Sequence, residues 1–534
     1  MSQRFVPRQV YLAASWMGAV GRYTGKDREE LTFLEMAERC GQVFEGSSVR
    51  RRDIDAVVVG SQNPAAFSGV DNTAAKIAGI LGVSGVKSIL IDTASSSGAS
   101  AFENAYLEVA SGRHDHVLAI AVQKMSDAST LEATRIIAGV IDRDEAESGL
   151  TMPACGALVA RALQERLGLS DEEWSAYSAL LTQRSHRFSS QNPLAHLRQP
   201  LVVDEYYRQV ADGDNYRYWD PLRYHDYCPM SDGMAAVIVT SRPQDVVVAG
   251  LGSATDIPTI ADRKYFHSFP ATVTAAAYAY GMAGIKDVRM LEGGLHVNMH
   301  DPFNGFGPIN LVDLGVVSRH RLFDALLDDA LTGPGGSFPT NLTGGLKGRG
   351  HPLGATGMIQ IVENHRLIVE QGFQAGVSHS IGGPINNNVV VLLERHGHYA
   401  ARSPEPYRPW GLPSLGTPKP RGVRLEAILA QEGQLRAHLI TRTTRYHYRS
   451  GQPEAVVVLV ACRYGGRLYR FLLGLDGECA AVLAGIGAGD EVVLERVEGE
   501  ITLNRMPVRK FYRRTLDSLR GVAEAGWKRL TGSV

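Results

Sequence analysis

Residues 341–357 read NLTGGLKGRGHPLGATG, and six of these seventeen residues are glycine. Such backbone takes positive φ readily and comes close to a ligand. In its middle stands His351, whose side chain exchanges a proton near neutral pH. Pro352 follows and biases His351 towards extended backbone. After Gly357 the run MIQIVENHRLIVEQG has helical spacing, with Ile359, Ile361, Leu367 and Val369 among its apolar positions. The loop therefore delivers a histidine to a helix N-terminus. Read alone it is equally a plain glycine-rich connection. It is not a phosphate-cradling P-loop, because Lys347 is not followed by Ser or Thr.

Outward from this loop, short apolar runs alternate with helical patterns. Residues 10–15, DAVVVG (55–60), residues 86–91 and VLAIAV (117–122) read as strands; residues 29–45, 72–81 and 95–111 read as helices. Continuous β-branched runs mark strands buried on both faces. The pattern loosens from about Arg143 to Ser231, where helices at 157–167 and 171–188 precede DEYYRQVADGDNYRYWDPLRYHDY. Long irregular segments inside compact domains are usually functional. From Gly233 the alternation resumes, with strands at 233–240, 246–251, 295–299, 376–380 and 388–394 and helices at 271–281, 322–331 and 358–371. The order predicts an α/β body of two similar halves.

The 534 residues exceed what one hydrophobic core supports. The expected division is 1–245 with a loop region at about 125–231, then 246–396, a Pro-rich linker at 397–422, a β-rich domain at 423–505 and a basic helix at 506–534. RLEAILA, AHLITRTTRYHY, AVVVLVACRY, RLYRFLLGL, DEVVLERV and EITLNRM are the strands expected in the β-rich domain. The net charge of -1 conceals an asymmetry: residues 401–534 hold 21 Lys+Arg against 13 Asp+Glu, and residues 1–400 hold 34 against 43. The basic excess fits a solvated face, or a phosphorylated ligand, membrane surface or nucleic acid. Tyr446, Tyr448, Tyr464 and Tyr469 lie near arginines and can stack bases. Cross-strand pairing is the more ordinary use of such tyrosines, so nucleic acid is disfavoured as a partner. Cys40, Cys155, Cys228, Cys462 and Cys479 show no CxxC spacing, which argues against a disulfide framework and a zinc site. No apolar run approaches the ~20 residues of a membrane span. The N-terminal VYLAASWMGAVG lacks a signal-peptide layout, and the chain is read as cytoplasmic.

Four places can carry chemistry. In Ser95-Ser96-Ser97-Gly98 a strand turns into a helix, where backbone N–H groups stabilise negative charge. A hydroxyl there is a helix cap or a nucleophile, and the cap is the commoner use. His300 stands in HDPF at a strand end, as catalytic groups of α/β folds often do. His351 is the third. The fourth is the strand-to-glycine turn His379-Ser380-Ile381-Gly382-Gly383-Pro384. A hydroxyl at a helix dipole, two histidines and a glycine turn able to donate N–H groups make an acyl-transfer set.

These motifs, in this order, resemble the thiolase superfamily. NLTGGLKGRGHPLGATG looks like its GHP loop, and PLRYHDYCPMSDGMAAVIV (221–239) like the segment before its second half. AVQKMSD (121–127) resembles another of its motifs. HDPF resembles the HDCF form of sterol-carrier-protein-X-type thiolases, and residues 157–198 are similar to that subgroup. The resemblance covers about residues 8–396. The added domain looks like that of the thiolase-like protein type 1 group, whose extra domain has an OB-like fold. The implied architecture is a five-layered αβαβα body, a small OB-like C-terminal domain and a terminal helix.

The resemblance implies an acyl-CoA or CoA ligand bound by its pantetheine arm, with the coenzyme A thioester as substrate and no bound cofactor or metal. It also implies a homodimer formed through the thiolase body. The family's acylated cysteine falls on Ser95 and its acid–base cysteine on Ser380, while His300, His351 and the turn glycine Gly382 are retained. An alcohol is far harder to ionise than a thiol and needs a base in contact. Ser380 has no basicity suited to removing an α-proton. Three functions are therefore expected in competition. The first is an acyltransferase of the acetyl-CoA acetyltransferase superfamily, with Ser95 as nucleophile and His351 as base. The second is a cysteine-independent retro-aldol lyase acting on a β-hydroxyacyl-CoA. The third is a non-catalytic acyl-CoA or lipid-binding protein.

Overall fold

The computed structural model describes residues 7–263, 266–399, 425–497, 500–504 and 506–508. Its strands are β1 (Tyr11–Met17), β2 (Ala56–Gly60), β3 (Lys87–Ile91), β4 (His116–Gln123), β5 (Arg217–Trp219), β6 (Leu222–Arg223), β7 (Gly233–Thr240), β8 (Val246–Thr255) and β9 (Leu295–Asn298). They continue with β10 (Ala375–Gly382), β11 (Asn387–Arg395), β12 (Gln434–Tyr446), β13 (Pro453–Tyr464), β14 (Arg467–Asp476), β15 (Glu491–Val497), β16 (Glu500–Leu503) and β17 (Met506–Pro507).

Nine strands run in the order β3-β2-β4-β7-β1-β8-β11-β10-β9. The two halves repeat one pairing scheme. β2 and β4 are parallel, and β4–β7 and β7–β1 antiparallel. Likewise β9 and β10 are parallel, and β10–β11 and β11–β8 antiparallel. The halves join edge to edge through a narrow seam, Tyr11 opposite Val247, with Val248 N–H donating to Val10 O at 2.9 Å.

Side-chain alternation then sorts the strands between layers. Val57 and Val59 of β2 pack outward against Phe33, Met36 and Ile77 of the flanking helices. Ala56 and Val58 face inward onto Phe102, Met358 and Val362. Those belong to the central helices Ser97–Ala110 and Thr356–Gln371, which also cover Val389 and Val391 of β11. On the far side Val390 and Leu392 meet Ala275, Ala279 and Ile309 of the helices Pro270–Met282 and Phe306–Asp313. Helices thus cover both faces of each half and share the middle, giving the expected five-layered α/β thiolase fold.

Several local expectations change. The segment 322–331 forms only short turns, Ala325–Leu327 and Asp329–Thr332, because Asp328 caps the second and interrupts a continuous helix. Val203–Ala211, inside the polar aromatic stretch, is a helix, as is Thr130–Ala138. RLEAILA is not a strand: Leu425–Glu432 is a helix burying Leu425, Ile428 and Leu429, an i, i+3, i+4 spacing.

The C-terminal strands form a separate sheet, β14-β13-β12-β15-β16-β17. A bridge between Leu475 and Val508 brings its last edge back to β14, so the sheet curls towards closure. It docks on the body where β5 pairs with β12 at Trp219 and Arg445. Val457, Leu459 and Leu472 enter the same apolar cluster as Leu158 and Leu163 of the helix Met152–Leu167. Residues 506–508, expected to open the basic helix, instead pair with β16 and β14. The rest of that helix lies outside the described residues. So does the Pro-rich linker beyond residue 399, of which 397–399 belong to the turn His396–Tyr399.

Candidate active site

The loop after β3 builds an elbow. Asp92 Oδ1 accepts from Ala94 N at 2.9 Å and Ala94 takes φ 57°, a left-handed conformation costly for a residue with a Cβ. The cap of the helix Ser97–Ala110 is Ser96, not Ser95. Ser96 Oγ donates to Thr93 O at 2.8 Å and Ser97 Oγ to Ala94 O at 2.5 Å, so both hydroxyls hold the elbow. Ser95, turned outward by this geometry, lines a cavity. Gly382 is pressed against the same elbow: a Cβ there would fall 2.0 Å from Thr93 O and 2.4 Å from Ser96 Oγ, so only glycine fits.

His351 arrives from the other half. Its N–H donates to Ser231 Oγ at 3.2 Å, and a bridge ties it to Met230. Its ring Nδ1 lies 2.8 Å from Thr356 Oγ1, the first residue of the helix Thr356–Gln371. When Nδ1 carries the proton, Nε2 is a bare acceptor; in the other tautomer Nε2 donates. His300 follows β9, its carbonyl accepting from Asn310 Nδ2 at 2.6 Å. Its ring stands edge-on to His351, centroids 5.0 Å apart at 88°. His300 Nδ1 is buried without a hydrogen-bond partner among the described residues.

Burial holds both imidazoles neutral. His351 is pushed down to about 3 by burial and, secondarily, by Arg349. His300 lies well below its ordinary value through burial, then through His351, His379 and Arg349. Arg349 is itself fully buried behind the site, paired with Glu363, which also accepts from Asn298 Nδ2 at 2.6 Å.

Ser380 and His379 sit on β10 and point to opposite faces. Ser380 Oγ lies beneath the elbow, 3.5 Å from Ser95 O, and is buried. His379 turns away to Thr272, with Nε2 3.2 Å from Oγ1. Neither lines the cavity, whereas Ile381 and Gly383 do. The structure thus brings Ser95, His300 and His351 to one space and puts Ser380 and Gly382 in its supporting wall.

That space measures ≈ 1030 Å³. Met125, Leu131, Ile137, Met152, Phe303 and Ile385 give it an apolar wall. Arg22, the exposed Lys26 and Asp27 lie together in another part of its lining. A third side, Tyr216, Tyr218, Tyr224 and Tyr227 with His186 and His225, was not singled out residue by residue from the sequence. The signal was present in the aromatic-rich irregular stretch ending at Tyr227. Among the described residues no cluster of three or more His, Cys, Asp or Glu side chains is arranged to hold a metal ion. No helix among them is long and apolar enough to cross a membrane.

With this fold and site in place, the chain's relatives are consistent with it. Residues 10–203 match the thiolase N-terminal domain family and residues 252–395 the thiolase C-terminal domain-like family. An acetyl-CoA acetyltransferase of Methanothermobacter thermautotrophicus is 32% identical over 386 residues, covering 68% of this chain and 95% of that protein. The chain belongs to the thiolase superfamily. Sterol carrier protein 2 of Gallus gallus is 27% identical over 352 residues, 60% of this chain and 61% of that protein. Among solved structures, a monomeric SCP2-thiolase like protein type 1 from Mycobacterium smegmatis superposes with TM-score 0.66 at 17% identity. That match covers 93% of this chain and 99% of the other. The Ltp2-ChsH2(DUF35) aldolase gives TM-score 0.58 at 18% identity over 73% of this chain and 98% of the other. Both of these likenesses are of fold.

Proposed function

We propose that the protein processes acyl-CoA thioesters in this cavity, as an acyltransferase in which Ser95 takes the acyl group and His351 is its base. The observation that carries this reading is the convergence of Ser95, His300 and His351 on one cavity with an apolar wall. Ser95 Oγ attacks the thioester carbonyl carbon while His351 accepts its proton. The oxyanion forms at the N-terminus of the helix Ser97–Ala110, where backbone N–H groups of the Ser95 and Gly382 turns stabilise it. The C–S bond then breaks, and the thiol of coenzyme A leaves with the proton held by His351. Burial keeps His351 neutral and so able to accept a proton, while the same burial weakens it as a base.

One observation favours a second reading. His351 Nδ1 is engaged with Thr356 and His300 Nδ1 has no partner among the described residues, while the two rings stand against one another. Such a pair can take the β-hydroxyl proton of a β-hydroxyacyl-CoA and steady the enolate released as its Cα–Cβ bond breaks.

Incubation with a panel of acyl-CoA and β-hydroxyacyl-CoA thioesters separates these readings. A covalent ester on Ser95, seen by intact mass and absent in Ser95→Ala, establishes acyl transfer. Release of an aldehyde or ketone, lost in His351→Ala, establishes the lyase. Coenzyme A binding with neither outcome would sink both and leave a binding protein.

A further inference from the structure

Cys228 differs from the other cysteines. Cys40, Cys155, Cys462 and Cys479 are buried; Cys228 is partly accessible, and it lines the same cavity as Ser95, His300 and His351. Its position is built from both imidazole loops. Cys228 N–H donates to Pro302 O at 2.8 Å, and Tyr227 pairs with Phe303, both just past His300. Two residues further on, Met230 bridges to His351. The segment carrying this thiol is therefore laced to the His300 loop at one end and to the His351 loop at the other. A second, independent feature of the same wall is an unpartnered buried polar atom. The Nδ1 atom of His300, a residue 3% exposed and lining the cavity, has no hydrogen-bond partner among the described residues.

We propose that Cys228 is a catalytic residue whose thiol gives its proton to the α-carbon of a thioester enolate, and whose thiolate takes that proton back in the reverse direction. The proposal rests on the reading that the cavity accepts acyl-CoA thioesters. In the forward step the enolate's electron pair forms the new C–H bond and the thioester carbonyl is restored. The S–H bond breaks and leaves its pair on sulfur. The thiolate is offset by the buried ammonium of Lys347, which is held by Thr182 Oγ1 at 2.7 Å and by Asn304 Oδ1. Burial, and secondarily Asp301, push the thiol up to about 12, with Lys347 acting in the opposite sense. At neutral pH the group therefore holds a proton to give, and once ionised it is far more basic than either imidazole. Ser380 lies beneath the elbow and does not line the cavity, and an alcohol is far less ready than a thiol to give up its proton.

The test is α-proton exchange of acetyl-CoA in D2O, followed by NMR, with the full-length protein. Wild type is expected to exchange the acetyl protons through its small thiolate fraction, at a rate that rises with pD. Cys228→Ala should lower the rate by about 10²-fold or more, with acetyl-CoA affinity within twofold by calorimetry. Cys228→Ser should behave alike, since an alcohol does not replace the thiol's acidity. Exchange in Cys228→Ala within threefold of wild type would overturn the proposal, as would wild-type protein that binds acetyl-CoA without exchanging it. A Ser95 adduct read by mass in the same samples shows whether the acyl-CoA reading stands when Cys228 fails. Absence of acetyl-CoA binding removes both.

Discussion

Thr356 orients the His351 ring, because its hydroxyl engages Nδ1 of this cavity-lining residue. Replacing it with the isosteric valine removes that partner without changing volume. Thr356→Val is expected to lower turnover of an acyl-CoA by roughly 10- to 100-fold, in the range seen for partners that orient histidine ligands elsewhere. Thioester affinity should stay nearly constant, as a kcat-against-KM comparison would show. Arg349 acts differently. It is fully buried and paired with Glu363, so removing it strands a carboxylate. Arg349→Met should destabilise the fold by about 3–5 kcal/mol, measured by denaturant unfolding. At this scale the sequence was legible where a residue stands alone in a glycine-rich loop, as His351 does, or at a strand end, as His300 does. It was illegible where alternation decides. Nothing in HSIGG announces that Ser380 turns under the elbow while Ile381 lines the cavity. In Ser95-Ser96-Ser97 the cap falls on Ser96 only because Ala94 takes positive φ.

The two central helices meet N-terminus to N-terminus, and this crossing sets the distance between the Ser95 elbow and the His351 loop. Gly98 allows it: a Cβ there would lie 2.8 Å from Gly354 O and 2.9 Å from Met358 N. Gly98→Ala must push backbone against backbone. It is expected to cost about 1–3 kcal/mol and to lower turnover more than stability alone explains, because it separates the Ser95 elbow from His351. Activity measured well below the unfolding temperature checks this. The continuous apolar runs DAVVVG and VLAIAV were readable because both strand faces are buried, and the helix after Gly357 because its period is long. RLEAILA was not, since a short apolar run has no period long enough to tell strand from helix. Its i, i+3, i+4 burial decides for helix only once the neighbouring sheet is in place. The helix Val203–Ala211 was hidden by its polar face, with Tyr206 as its one buried residue.

Across the whole molecule, many imidazoles are held neutral by burial. His351 lies at about 3, and His225, His296, His365 and His379 at about 4. A folded-state value below the unfolded ~6.5 means the unfolded chain binds more protons, so stability is lost as pH falls through that window. Glu145 and Asp313, raised to about 7, and Asp301, raised to about 6, act in the opposite sense. Their contribution is full below ~4 and fades as pH rises towards 7. The imidazoles outnumber them, so the melting temperature should fall between pH 7 and pH 5, and scanning calorimetry across that range tests it. The middle helical layer has a further consequence for how the chain reaches this state. Phe102, Val58 and Val117 of the first half are covered by Met358, Ile361 and Val362 of a helix that leaves the ribosome some 250 residues later than Phe102. At about 5–20 residues per second, that apolar face stays open for roughly ten seconds or longer during synthesis. Contacts so distant in sequence also make spontaneous refolding slow. The nascent first half is therefore a natural client for a chaperone, and productive folding waits on the loop that carries His351.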